Sequence, residues 1–361
     1  MTTLTPGSFL SPWGQAVATA QLKTVAEDFQ VEEFLEFSPD GSGEHLWLWV
    51  QKRGLNTDYV AGAIAKQLQL PAKQVSYSGL KDRHAITRQW FSVHWPGGGL
   101  WPDDLGLVGD EQAGFTVLSQ QRSSRKLRRG AHAGNHFQIV LREVSGSQAE
   151  INQRLNDMRD QGVPNYFGLQ RFGRDGSNIG RGLALLAARN NGRRRRQDAR
   201  ESLWLSAIRS ALFNQVLAAR VESGSWQQVL PGDVLQLDGR GSFFTPESDD
   251  TSWQDRFTSL ALHATGPLPG AGEPVVSAEV LDLERQVLAP WQETCVALSE
   301  VAIPAQRRAL RVRLQDMSWQ WVSKNTLSLS FALTSGAFAT SVLQSCFQLT
   351  EEDHHALSAE Q

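Results

Sequence analysis

Asp82 is the residue in this 361-residue chain whose type and setting most suggest chemistry. It lies in the run Tyr77-Ser78-Gly79-Leu80-Lys81-Asp82-Arg83-His84-Ala85-Ile86-Thr87-Arg88-Gln89, just after the turn residue Gly79 and between two cations. Adjacent positive charge favours the ionised carboxylate near neutral pH. A carboxylate in that state has no proton to give, so its roles are those of a nucleophile or an electrostatic stabiliser. By charge pattern alone, however, Lys-Asp-Arg reads as a solvated loop.

Other chemistries find less support. Cys295 and Cys346 stand far apart with no Cys-x-x-Cys spacing, so neither a disulfide framework nor a zinc site is expected, and both read as small buried hydrophobes. His354-His355 reads as a solvated tail pair rather than a metal site, and no glycine-rich phosphate loop is found. The expectation is a protein without metal or cofactor.

The elements that must hold Asp82 follow from periodicity. Leu22-Lys23 and Glu27–Glu33 form a first extended segment, and in His45–Lys52 the residues Leu46, Leu48 and Val50 alternate with Trp47 and Trp49, a strand covered on both faces. Asn56-Thr57-Asp58 caps a helix running to about Leu70, with Val60, Ile64 and Leu68 at helical spacing and Pro71 closing it. Asp82 then falls on a loop before the strand Arg88–Val93, a common placement for a reactive group. Farther on, Phe137, Ile139 and Leu141 share one face of a strand spanning Gly134–Arg142, where Phe137 by itself reads as a core aromatic. Ser147-Gln148-Ala149-Glu150 is a capping box opening a helix to about Gln161, stopped by Gly162. A helix is expected over Asp198–Glu222 through Leu203, Ala207, Ala211 and Leu212, and another over Val275–Leu298, interrupted by Pro290. Leu327, Leu329, Phe331 and Leu333 alternate as a strand before a helix that starts near Gly336.

Composition is that of a globular protein: 40% hydrophobic and 20% charged, with no apolar run long enough to span a bilayer. Residues 1–15 lack the basic and apolar regions of a signal peptide, so a cytoplasmic protein is expected. At this length two domains are expected, and no coiled-coil or edge-pairing segment argues against a monomer. The net charge of −3 excludes coating of nucleic acid by bulk electrostatics, yet the cations are concentrated. Gln112–Arg142 has six cations and no acid, and Gln161–Gln197 has eight arginines, including Arg193–Arg196, against one acid. Glu247–Glu300 carries ten acids and two arginines, so phosphate neutralisation would be local.

Gly79, Lys81, Asp82, Ala85, Thr87 and Gln89 fill the pattern Gly-x-Lys-Asp-x-x-Ala-x-Thr-x-Gln, which resembles the active-site segment of the TruD family of tRNA pseudouridine synthases. Four further stretches resemble that family in its order: the segment from Glu27-Asp28-Phe29, Asn135-x-Phe137, Gly162–Gly173, and Gly336-Ala337-Phe338-Ala339-Thr340-Ser341. Thr334-Ser335 departs from the family's Leu-Pro-containing turn, which bears on the placement of Phe338. The resemblance implies an α+β fold: a pseudouridine-synthase catalytic domain with a mixed or antiparallel sheet and flanking helices, formed by residues 1–161 and 309–361, and an inserted α/β domain at 162–308. It implies Asp82 as catalytic carboxylate with Lys23 beside it. Phe29, Asn135, Phe137 and Phe338 become substrate contacts, an aromatic face being suited to an unstacked base. Lys81, Arg83, Arg125, Lys126, Arg128, Arg129, Arg171 and Arg174 become the candidates for RNA contact. The implied reaction is isomerisation of uridine to pseudouridine, at uridine 13 of glutamate tRNA, without an obligate protein partner. A non-catalytic RNA-binding or RNA-folding protein on the same scaffold is the alternative, and a nucleoside hydrolase releasing free base a third.

Overall fold

A computed structural model describes residues 3–102, 106–189, 199–247, 251–301 and 303–351. Arg193–Arg196 and His354-His355 lie outside the described residues. The chain is α+β and divides into two compact units, one of Val17–Ile151, Leu314–Gly336 and Phe347–Gln361, the other of Met1–Ala16, Asn152–Arg313 and Ala337–Cys346. The cut after Ile151 runs inside the Gln148–Gln161 helix, whose Arg154 guanidinium donates to the carbonyls of Trp13 and Ser345 at 2.8 and 2.7 Å, both in the second unit. Among the described residues no helix is long and apolar enough to cross a membrane.

The first unit is built on an eleven-stranded mixed sheet. Its central order is Gln315–Ser323, Thr326–Thr334, Gly134–Gly146, Phe29–Phe34, Ile86–His94, His45–Arg53, Gly114–Ser123 and Leu107–Gly109. Phe29–Phe34 pairs in parallel with Ile86–His94 and antiparallel with Gly134–Gly146. The strands form because their side chains alternate between two environments. In His45–Arg53, Leu46, Leu48 and Val50 are fully buried and pack with Phe91, Val93 and Tyr77 against Val60 and Ile64 of the Thr57–Gln67 helix. Each such side chain contributes roughly 1.5–3 kcal/mol through removal from water. On the other phase Trp47 is also fully buried, its indole N–H donating to the Arg125 carbonyl at 2.8 Å, while Trp49 is half-buried.

In the second unit the spine is the Ala199–Glu222 helix. Leu205, Ile208, Leu212, Phe213, Val216 and Leu217 are buried around its circumference, the pattern of a helix enclosed by others. Ala207 and Ala211 are buried as expected, but Leu203 is exposed, while Leu205 on the opposite side of the same turn is fully buried. Around the spine lie helices Ser177–Arg189, Ala278–Leu288 and Gln292–Glu300 and a four-stranded sheet. The last two helices are separated by a short turn containing Pro290. Both cysteines are free, Cys346 fully buried and Cys295 partly so.

Candidate active site

The first unit brings its chemistry onto one face of the central sheet. Cross-strand register aligns Lys52 with Thr87, Val50 with Gln89, Glu33 with Asn135, Val31 with Phe137, and Val31 with Thr87. Residues so paired point to the same side, so Lys52, Thr87, Gln89, Glu33, Phe29, Asn135 and Phe137 share a face. The turn Ser78–Ala85 lies against it between the short strand Val75–Tyr77 and the strand Ile86–His94.

That turn is held by buried polar side chains. Gln89 donates its amide N–H to the Gly79 carbonyl at 3.0 Å and accepts from Thr57 Oγ1 at 3.1 Å, while Thr57 Oγ1 accepts the Lys81 backbone N–H at 3.0 Å. Thr57 therefore serves the turn, and the helix's N-cap residue Asn56 makes no side-chain capping bond. Lys81 Nζ donates to Glu33 Oε2 at 2.8 Å with both side chains withdrawn from solvent, and Ser78 Oγ donates to the same carboxylate. Lys52, 1% exposed, donates from Nζ to the carbonyls of Asp82, Leu55 and Lys81 at 2.7, 2.9 and 3.4 Å.

From this base Asp82 projects a carboxylate that is 29% exposed. Its Oδ2 accepts from Lys23 Nζ at 2.6 Å and its Oδ1 from the His84 backbone N–H at 3.0 Å. Burial pushes its pKa up, but the charge and hydrogen bond of Lys23, with the His84 N–H, outweigh it and hold the carboxyl below its ordinary value. Lys23 is buried, adopts a left-handed backbone conformation (φ 60°), and places Nζ 4.7 Å from the centre of the Phe29 ring. A strained non-glycine residue persists only where its surroundings over-determine it. Phe29 meets Phe137 edge-on at 6.1 Å, and Phe137 stacks on Phe331 at 5.6 Å. Asn135 Oδ1 is buried beside them with no hydrogen-bond partner. A cleft of about 300 Å³ adjoins, lined by Lys23, Thr24, Arg53, Arg83 and His84. Among the described residues no three His, Cys, Asp or Glu side chains come together as a metal-ligand set.

The model of the family "tRNA pseudouridine synthase D (TruD)" matches residues 13–186 and 195–346. The chain belongs to the TruD family. It is 40% identical to the tRNA pseudouridine synthase D of Hydrogenovibrio crunogenus, over 96% of this chain and 97% of that protein. It is 45% identical to that of Xanthomonas campestris, over 91% and 92%. A crystal structure from Methanosarcina mazei assigned to TruD has the same fold, with a TM-score of 0.72 over 94% of this chain and 96% of that one at 19% identity.

The TruD motif residues divide between the units. Lys23, Phe29, Asp82, Asn135 and Phe137 lie together in the first. Phe137 and Phe29 are 7% and 5% exposed, so both are core aromatics, as the residue pattern of Phe137 alone suggested. Phe338 belongs to the second unit, where it precedes the Ala339–Leu343 helix and packs on Phe167 at 6.2 Å. Thr334-Ser335 keeps its turn in the first unit, the Ser335 backbone N–H donating to the Ala133 carbonyl at 2.8 Å and its Oγ meeting His132 Nε2 at 3.0 Å. Lys81 is not available to phosphate: its ammonium is buried against Glu33. Arg171 is partly buried, bonded to Ser206, and its guanidinium is pushed below its ordinary pKa by burial. Arg83, Arg125, Lys126, Arg128, Arg129 and Arg174 are exposed, with Arg129 stacked on Tyr77 at 3.7 Å and bonded to its hydroxyl. The sequence reading missed Lys52, Glu33 and Thr57. Lys52 continues the buried phase of Leu46, Leu48 and Val50, and Glu33 that of Phe29 and Val31, so a charge on an apolar phase was the available signal.

Proposed function

We propose that this chain is a tRNA pseudouridine synthase in which Asp82 is the catalytic carboxylate and Lys23 its ionic partner, acting on uridine 13 of glutamate tRNA. The observation that carries the assignment is the Asp82–Lys23 pair: the Asp82 carboxylate is 29% exposed, and the ammonium beside it holds it below its ordinary pKa against the push of burial. Isomerisation exchanges the C1′–N1 bond of uridine for C1′–C5; C5 gives up its proton and N1 ends protonated, with no redox change. An ionised carboxylate can serve this as a nucleophile or as a base toward the sugar, and a buried ammonium beside it resists protonation in either use. The target base must leave its stack. Asn135, Phe29 and Phe137 are the side chains the family motif assigns to that base, and because the Asn135 Oδ1 and both rings are buried here, they meet it only on opening toward the Asp82 carboxylate. Arg83, Arg125, Lys126, Arg128 and Arg174 supply exposed charge for phosphates.

The test is to incubate the purified protein with unmodified glutamate tRNA and map pseudouridine by carbodiimide-dependent primer-extension stops. A stop at position 13 with the native protein, and none with Asp82→Asn at equal tRNA binding, is expected. Turnover by Asp82→Asn at the native rate refutes the role of the carboxylate. Release of free uracil, or unchanged RNA in a stable complex, refutes the synthase.

A further inference from the structure

We infer that Lys52 is a positioning residue for this site: its buried ammonium gathers the carbonyls of Leu55, Lys81 and Asp82 and thereby fixes the backbone from which the Asp82 carboxylate projects. The inference rests on the catalytic role proposed for Asp82. An ammonium has three protons to donate, and here all three have acceptors, at 2.7, 2.9 and 3.4 Å. The shortest bond goes to the main chain of the reactive residue itself. Burying an ammonium carries a desolvation cost that an apolar residue on this phase of the strand avoids, as Leu46, Leu48 and Val50 do. The three hydrogen bonds offset that cost, and they tie together two segments distant in sequence, the Leu55 approach to the helix and the Lys81-Asp82 turn.

Protonation of Lys52 is therefore coupled to the geometry of the site. Burial pushes its pKa down to about 8, with the positive charge of Lys81 acting in the same direction and the negative charge of Asp82 opposing both. Its cross-strand neighbour Thr87 and the adjacent Gln89 bring no charge. As pH rises through that value the amine keeps two donors and faces three carbonyls with one of them unmet, so the turn loosens while the exposed arginines that would meet RNA stay charged.

The experiment measures single-turnover isomerisation and tRNA binding for the native protein, Lys52→Met, Lys52→Arg and Asp82→Asn between pH 6.5 and 9.5. A misplacement of about 1 Å can cost roughly 100-fold in rate, so Lys52→Met is expected to lose about 10- to 100-fold in rate constant with its tRNA affinity within about threefold. Above pH 8 the native rate should fall, whereas Lys52→Met should be slow and flat through the same interval, and Lys52→Arg, whose cation does not titrate there, should recover part of the rate without the limb. An alkaline limb arising from the substrate uracil persists in Lys52→Met, and that result, or a native rate in Lys52→Met, overturns the inference. Nitrogen-15 NMR of the lysine Nζ groups, with the Asp82–His84 amide signals, reads the same network in the native protein without turnover. A buried ammonium titrating near pH 8 together with those amides is expected, and no lysine titrating below about pH 9.5 overturns the inference even if Lys52→Met does not fold. If the native protein forms no pseudouridine while the NMR titration is as expected, the synthase reading fails and the loop clamp stands.

Discussion

Replacing Lys23 by methionine removes the charge beside Asp82 while preserving length and, because both residues carry a Cβ, the same left-handed strain at φ 60°. What is lost is one charge-assisted hydrogen bond of 2.6 Å to Oδ2. Such bonds contribute ~1.5–3 kcal/mol. Asp82 is 29% exposed, so solvent replaces part of the interaction and the lower half of that range applies. At about 1.4 kcal/mol per tenfold in rate, this amounts to a loss of roughly 10- to 40-fold near pH 7. The pH dependence is the sharper part. In the native protein the carboxyl is held below its ordinary pKa and stays ionised from pH 5 to 8, so the stability this group contributes is also constant there and would be lost only at lower pH, as it falls through the depressed value. In Lys23→Met the upward push of burial is opposed only by the His84 N–H and the more distant charges, so the carboxyl takes up a proton at higher pH. The deficit should therefore widen as pH falls from 8 to 5. Release of tritium from tRNA carrying uridine labelled at C5, in single turnover across that interval, measures it. A deficit of the same size at pH 5 and pH 8, or none, refutes the claim that Lys23 works by keeping Asp82 ionised.

Glu33→Ala leaves the Lys81 ammonium buried without its counter-ion and should lower the stability of the first unit by roughly 3–5 kcal/mol, read as a reduced unfolding midpoint. Glu33→Leu combined with Lys81→Met should restore most of it, and equal midpoints for the single and double variants would show that the pair is not coupled. Arg125→Ala and Arg128→Ala, both on exposed side chains, should weaken tRNA binding, and each lost phosphate contact should flatten the slope of log affinity against log salt by roughly 0.7–0.9. An unchanged slope removes that residue from the RNA interface.

Much of the frame could be read from periodicity. The strands His45–Arg53, Ile86–His94, Gly134–Gly146 and Thr326–Thr334 carry alternating apolar residues, and the Gln148–Gln161 and Ala199–Glu222 helices carry capping or spacing signals. The elements that escaped lack such signals. Gly114–Ser123 ends in the polar run Ser119-Gln120-Gln121-Arg122-Ser123, and only its first two residues and its last are buried. The Ser177–Arg189 helix contains Gly180 and Gly182, which weaken helical propensity. Gly182 is there for packing: a Cβ would stand 2.7 Å from the Trp204 carbonyl oxygen and 2.8 Å from Ile208. At the site, charge pattern alone makes Lys81-Asp82-Arg83 a solvated loop, and it was the match to Gly-x-Lys-Asp-x-x-Ala-x-Thr-x-Gln that singled out Asp82. Lys23, bonded to it from 59 residues away, was expected beside it only through the family resemblance, whereas Lys52, 30 residues away, was missed because nothing short of the strand register brings it under the turn.

The arrangement of charge in the first unit argues for position over stability. Replacing a buried ion pair by packed hydrophobic residues is often neutral or favourable, so Glu33–Lys81 beneath the turn is a weak source of stability. What it and Lys52 supply is direction: a carboxylate below Lys81, an ammonium below the carbonyls of Lys81 and Asp82, and an amide below Gly79. These polar bonds to Gly79, Lys81 and Asp82 thereby fix a segment that is itself short and polar. Exposure rises from the Glu33–Lys81 pair, at 0% and 4% for the two side chains, to the Lys23–Asp82 pair, at 7% and 29%. The deeper groups are spent on one another. Asp82, ionised and open on one side, is the member left able to meet a substrate.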